Sequence, residues 1–155
     1  MCPFMHPMKS ILKLVCIAIS MSVMQVATAQ INKQKEVYTV LDETNLQKML
    51  ENLEIPFERV AKDDYKINVE GFHAFAEISE DGDLFLTSFF ENKNVTLEQI
   101  NGYNADHRWG RIYVDKDGDI AVQTELSFTG GIHLDGIIMH INTFTSILNS
   151  INLNF

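Results

Sequence analysis

Residues 65–90, YKINVEGFHAFAEISEDGDLFLTSFF, decide how this chain folds. Tyr65, Ile67 and Val69 alternate with Lys66, Asn68 and Glu70, the period of two by which a strand sends successive side chains to opposite faces. Gly71 breaks the run, and the stretch from Phe72 to Ile78 resumes it. Glu80-Asp81-Gly82 reads as a turn, because Asp-Gly between alternating apolar runs supplies the positive φ of a tight hairpin. Leu84 to Phe90 follows as a third strand, which makes the segment an antiparallel meander.

The last of these strands is apolar on both sides. Leu84, Leu86 and Phe90 fall on one face, and Phe85 and Phe89 on the other. A sheet with one solvated face alternates more cleanly than this. The pattern therefore implies cover for the second face, from the terminal helix, a second protomer or a ligand, with packing inside the chain the favoured source. Phe85 and Phe89 are accordingly candidate binding residues.

Before the meander, Leu46, Met49, Leu50 and Leu53 recur at helical spacing. Thr39 or Asp42 supplies the cap, and Pro56 ends the helix after about three turns. After the meander, Thr96–Ile100 reads as a short second helix capped by Asn94 or Thr96, with Gly102 near its end. Arg108–Val114 and Ile120–Phe128 are two more strands joined by an Asp-Gly turn at residues 115–119. Thr129-Gly130-Gly131 stops the sheet. Leu134, Ile137, Ile138, Ile141, Phe144, Leu148 and Ile151 then form the stripe of a long terminal helix. The order α-β-β-β-α-β-β-α is that of an α+β domain, an antiparallel sheet with helices on one face.

Residues 1–29 read as a cleavable signal peptide. Lys9 and Lys13 precede the largely apolar run from Leu14 to Val26, and Ala27-Thr28-Ala29 offers a small-x-small cleavage site before Gln30. The run is shorter than the stretch of about 20 apolar residues that spans a membrane, so no membrane span is expected after cleavage. Residues 30–36 read as a flexible lead-in and 37–155 as the domain, placed in the periplasm or outside the cell. Cleavage also removes both cysteines, Cys2 and Cys16, and takes the net charge from −9 to −11, because the leader carries two lysines and no acid. So acidic a domain repels phosphate backbones, which excludes nucleic acid as the expected partner.

Catalytic and metal-binding patterns do not emerge from the remaining residues. Asp115, Asp117 and Asp119 cluster, but a loop counted from Asp115 places Gly118 at the fourth position and Leu126 at the twelfth, where an EF-hand needs glycine at the sixth and glutamate at the twelfth. His133 and His140 share a helix face only at seven residues' separation, roughly 10 Å, too far to chelate one zinc directly. There is no nucleophile elbow, and Gly130-Gly131 lacks the further glycines and lysine of a phosphate loop. The expectation is a non-enzymatic domain without a cofactor. The densest polar-aromatic stretch, Asn101 to Arg111, makes Tyr103, Trp109 and Arg111 further candidate binding residues, since aromatic and arginine side chains dominate interface hot spots. Its structural alternative has Asn101 and Asn104 satisfying helix-end carbonyls while Tyr103 and Trp109 pack between helix and sheet.

Taken together, several of these elements resemble the bacterial YbjN-domain family, labelled as sensory transduction regulators. The resemblance rests on Leu46-x-x-Met49-Leu50 followed by Phe57, on the meander, and on Ile100-Asn101-x-Tyr103-Asn104. It continues through Trp109-Gly110-Arg111-Ile112-Tyr113, Asp117-Gly118-Asp119 and Gly130-Gly131, spanning about Val37–Ile151. The family pattern has tryptophan where this chain has Tyr103. The resemblance implies a fold similar to type III secretion chaperones, which often dimerise to hold partner proteins, and it brings no catalytic residues. An unidentified protein partner and a possible homodimer follow as expectations. The alternative is a small-molecule binder or enzyme with a pocket near Tyr103, Trp109 and Arg111.

Overall fold

The computed structural model describes residues 37–154. The signal-peptide reading, its cleavage site at Ala29 and Gln30, and the lead-in at 30–36 lie outside the described residues.

Chain order begins with a two-residue strand, β1 (Val37–Tyr38), and helix α1 (Glu43–Asn52). Of the two possible caps, Asp42 holds the position, its carboxylate accepting the Asn45 N–H at 2.7 Å. Leu46, Met49 and Leu50 are the buried stripe. The helix ends before Pro56 is reached. Glu54 turns left-handed with φ 55°, its N–H bonds the Glu51 carbonyl, and the Ile55 N–H bonds the Leu50 carbonyl at 2.9 Å. That pair of bonds is a Schellman turn with glutamate where glycine is usual.

Six strands form the main sheet: β2 (Phe57–Ala61), β3 (Asp64–Val69), β4 (Phe72–Ile78), β5 (Leu84–Phe90), β6 (Arg111–Val114) and β7 (Ile120–Leu126). Their spatial order is β2-β3-β4-β5-β7-β6, antiparallel throughout. The expected meander stands as β3 to β5, and β2 extends it at the edge. Sequence pattern alone misses β2, because in FERVA only Phe57 packs toward the core and the other four residues, charged and apolar alike, are exposed. A separate two-stranded pairing joins β1 to β8 (Ile132–His133), with Val37 opposite His133. Two residues are too few to show a period.

Helix α2 (Leu97–Asp106) carries a full capping box, Thr96 with Gln99, and runs through Gly102 rather than stopping beside it. The strand expected from Arg108 starts only at Arg111, since Gly110 takes φ +77°. The strand expected to reach Phe128 stops at Leu126, and the Phe128 N–H turns to the Asp83 carboxylate at 2.8 Å. Helix α3 (Leu134–Asn154) closes the chain.

The core lies on one side of the sheet. Tyr65, Ile67, Ala74, Ala76, Leu84, Leu86, Ile112, Ile120 and Val122 point to it and are buried. Leu46 and Leu50 of α1, Ile100 of α2, and Ile137, Phe144 and Leu148 of α3 belong to the same cluster. Polar atoms on this side are matched. Gln47 donates to the Tyr65 hydroxyl at 2.9 Å, and the Ser88 hydroxyl donates to the His73 carbonyl at 2.7 Å. The α+β class, with helices gathered on one face, is what the structure shows.

The similar turns at residues 79–83 and 115–119 share one hydrogen-bond scheme. In each, the first residue's N–H reaches the fifth residue's carbonyl at 2.9 Å, and the glycine N–H returns to the first carbonyl. In the second turn the Asp115 carboxylate accepts the N–H groups of Asp117 and Asp119, both at 2.9 Å. In the first turn the Ser79 hydroxyl takes that part, accepting the Asp83 N–H at 3.0 Å, so each loop opens on a side-chain acceptor for its own backbone.

Candidate functional site

The opposite face of the sheet is the candidate site. Strand alternation and register place its side chains in three rows. The central row runs Lys66, Phe75, Thr87, Gln123, Arg111 across five strands. Beside it, Phe89, Ala121 and Tyr113 lie opposite one another, with His73 on the neighbouring strand. On the other side Glu77, Phe85 and Glu125 are aligned. No described element packs on this surface. Among the described residues the cover expected from within the chain is not there: their helices pack on the other face, and Phe89 is left 46 % exposed.

Aromatic rings protect the small residues between them. Phe75 and Phe89 meet edge to face, centroids 6.0 Å apart, a favourable geometry for two quadrupoles. Ala121, between Phe89 and Tyr113, is fully buried, and so, nearly, is Thr87. A hydrogen-bonded line crosses the patch. Arg111 donates from Nε to Gln123 Oε1 at 2.8 Å and also from its terminal nitrogen, while Gln123 Nε2 donates to Thr87 Oγ1 at 3.0 Å. The Arg111 guanidinium also sits 6.0 Å from the Tyr113 ring centroid, at the outer range of a cation–π contact. These contacts link Thr87, Gln123, Arg111 and Tyr113 across three strands of the face.

Phe85, Phe89 and Arg111 thus share one surface. Tyr103 and Trp109 do not join them. Tyr103 packs against the core and stacks on His107 with centroids 3.8 Å apart. Trp109 is 67 % exposed beside Arg108, not wedged between helix and sheet. Asn104 turns away from its own helix end and pairs with the backbone of Ile112, a different partner from the helix-end carbonyls expected for it. Phe75 and Tyr113 were not among the candidates. Phe75 could have been found, because Phe72-His73-Ala74-Phe75 carries an aromatic residue on each face, as Leu84–Phe90 does.

One titratable group lies against the other side of the sheet. His140 of α3 is hydrogen-bonded to Thr124 Oγ1 at 3.1 Å, and burial lowers its pKa from 6.5 to about 4. The folded state therefore favours neutral imidazole. The associated stability is complete above about pH 6.5 and is lost as pH falls toward 4, since the unfolded chain takes up the proton first. Wild type is expected to lose about 2 kcal/mol more than His140→Gln between pH 7.5 and 4.5, after allowance for partial solvent exposure. Urea titrations of both proteins at the two pH values measure it. Parallel losses would mean that His140 is solvated in the fold.

The described residues contain no group of three or more histidine, cysteine or acidic side chains placed to hold a metal ion. No described helix is long and apolar enough to cross a membrane. A search of curated proteins finds no match. A protein-family model does match, over residues 42–151, and its description is "Putative bacterial sensory transduction regulator". The match takes in every element from α1 to the body of α3, including the whole six-stranded sheet. The chain belongs to the YbjN family.

Proposed function

We propose that this is a non-enzymatic regulatory domain, exported from the cytoplasm, that acts by docking a segment of another protein on the open face of its sheet. The observation that carries the reading is the aromatic patch of Phe75, Phe85, Phe89 and Tyr113, which no described element covers. Covering what remains exposed of Phe89 alone would remove roughly 90 Å² from water, worth about 2 kcal/mol. Aromatic anchors of this kind supply most of the energy of many interfaces.

Charge selects the partner. Glu77 and Glu125 flank Phe85 along one side of the face, Lys66 and Arg111 stand at the two ends of its central row, and the chain as a whole carries −9. A second copy would bring the same excess of acid, whereas a segment with apolar side chains beside lysine or arginine meets complementary potential. The family's regulatory description and the signal-like residues 1–29 support the rest of the reading.

A photocrosslinking amino acid at position 89 in producing cells tests it. The expected result is one heterologous adduct, reduced by Glu77→Lys with Glu125→Lys and absent when the crosslinker stands at Leu97 on α2. No adduct, or only one of twice the chain's mass, would overturn the reading. Export predicts a mature protein whose N-terminus lies near Gln30.

A further inference from the structure

A second concavity lies apart from the open face, where the end of α1, the β3–β4 turn and α3 meet. It is a partly open cleft of about 420 Å³, within the range of small-molecule sites. Leu53, Ile55, Pro56, Val69, Ile138 and Ile141 wall it. Gly71 and four polar residues, Glu54, Glu70, Asn68 and Asn142, complete the lining. No lysine, arginine or histidine is among the residues that line it.

We propose that this cleft binds a small organic cation, an amine with an apolar body. The apolar walls would take the body, and Glu54 and Glu70 at the rim would take the charge. Both carboxylates belong to exposed residues in turns at the rim of the cleft. Glu54 stands in the left-handed position of the Schellman turn that ends α1, at φ 55°. Glu70 stands with Gly71 in the two-residue turn between β3 and β4, at φ 50°. Asparagine or glycine suits such positions better than glutamate. Neither carboxylate forms an ion pair among the described residues. An anionic ligand would meet two uncompensated negative charges, and a neutral one would leave them as they are. A cation gains from both, and from the field of a chain with net charge −9.

Asn68 is partly committed already, since its Oδ1 accepts the Gly71 N–H at 3.1 Å. Its amide group thus braces the turn that carries Glu70. Asn142, exposed on α3 across the cleft, supplies a further polar group at the mouth.

Three probes of one shape and different charge test the proposal: 2-phenylethylamine, 2-phenylethanol and 3-phenylpropionate, each titrated into ¹⁵N-labelled protein at neutral pH. The amine is expected to shift the amides of Ile55, Asn68, Gly71, Ile138 and Asn142 saturably, with a dissociation constant of about a millimolar for so small a ligand. The alcohol should bind more weakly and the acid at least about tenfold more weakly. Glu54→Gln and Glu70→Gln should each weaken the amine about threefold, the scale of an exposed ion pair, while leaving other amides in place. Ile138→Trp, which fills the cleft, should abolish binding. Equal affinity for all three probes, shifts that map elsewhere, or no saturable shift would overturn the proposal. Crosslinking from position 89 is expected to survive Glu54→Gln and Glu70→Gln, so failure at the cleft and failure at the open face are separable.

Discussion

Gly110→Val is expected to destabilise the domain by about 4 kcal/mol, the sum of a strained backbone and a blocked contact. Gly110 takes φ +77° just before β6, a conformation that a β-branched residue adopts only under strain. A Cβ there would lie 3.0 Å from Ile147 Cδ1, 3.1 Å from Thr124 Cγ2 and 3.3 Å from the Gln123 carbonyl oxygen. The Ile147 methyl could move; the carbonyl, part of the β7 backbone, could not. This is where α3 lies against the sheet, so the cost spreads into the core. Gly118→Val is the control, because Gly118 has φ +91° but nothing within 4 Å of its virtual Cβ. Its cost should be the backbone strain alone, about 1–2 kcal/mol. Urea denaturation of both variants measures the difference, and equal losses would mean that α3 does not approach this glycine closely.

Asn104→Ala is expected to cost about 3 kcal/mol, because it leaves two backbone groups of an edge strand unpaired. Asn104 Nδ2 donates to the Ile112 carbonyl at 2.8 Å, and the Ile112 N–H donates to Asn104 Oδ1 at 2.9 Å. The side-chain amide thus does for β6, the last strand of the sheet, what another strand would do. Asn104→Asp separates hydrogen bonding from shape. It keeps the size but sets a carboxylate oxygen against the Ile112 carbonyl, so it should be at least as damaging at neutral pH. Loss of about 10 °C in melting temperature is the expected scale for either variant. An aspartate tolerated within about 0.5 kcal/mol would show that the amide pairing contributes little.

These two residues also explain what was and was not legible in the sequence. The meander was legible because Tyr65–Val69, Phe72–Ile78 and Leu84–Phe90 each show a period of two on a buried face, with glycine at the turns. The long helix was legible from the repeat of Ile137, Ile141, Phe144 and Leu148. β1 and β8 were not, because their pairing joins residues far apart in the chain and two residues carry no period. The dense stretch from Asn101 to Arg111 was legible as important but not in its role. Asn104 caps an edge strand and Gly110 admits a helix, which are tertiary relations that residue spacing does not encode.

The candidate site was half legible. The apolar character of Phe85 and Phe89 marked the second face of the sheet, but whether a helix covers it depends on which way the crossover from β5 through α2 to β6 turns. Phe75 and Tyr113 join the patch only once register sets them beside Phe89 or across from Ala121. The cleft at Glu54 and Glu70 had no sequence signal, because its walls come from three separate elements.

The central claim is that the aromatic face is open in the domain and covered by a partner in the cell. Both cysteines of the chain, Cys2 and Cys16, lie before Gln30, so residues 30–155 accept a single reporter thiol. His73→Cys places that thiol on the exposed face without removing an aromatic anchor, and Leu97→Cys places one on α2, away from it. Maleimide labelling of each, in purified protein and in intact producing cells, compares the two environments. The account predicts that both label at similar rates when purified, and that only His73→Cys is slowed in cells, by about tenfold or more for a site inside a stable interface. Labelling of His73→Cys at the same rate in both settings would contradict it.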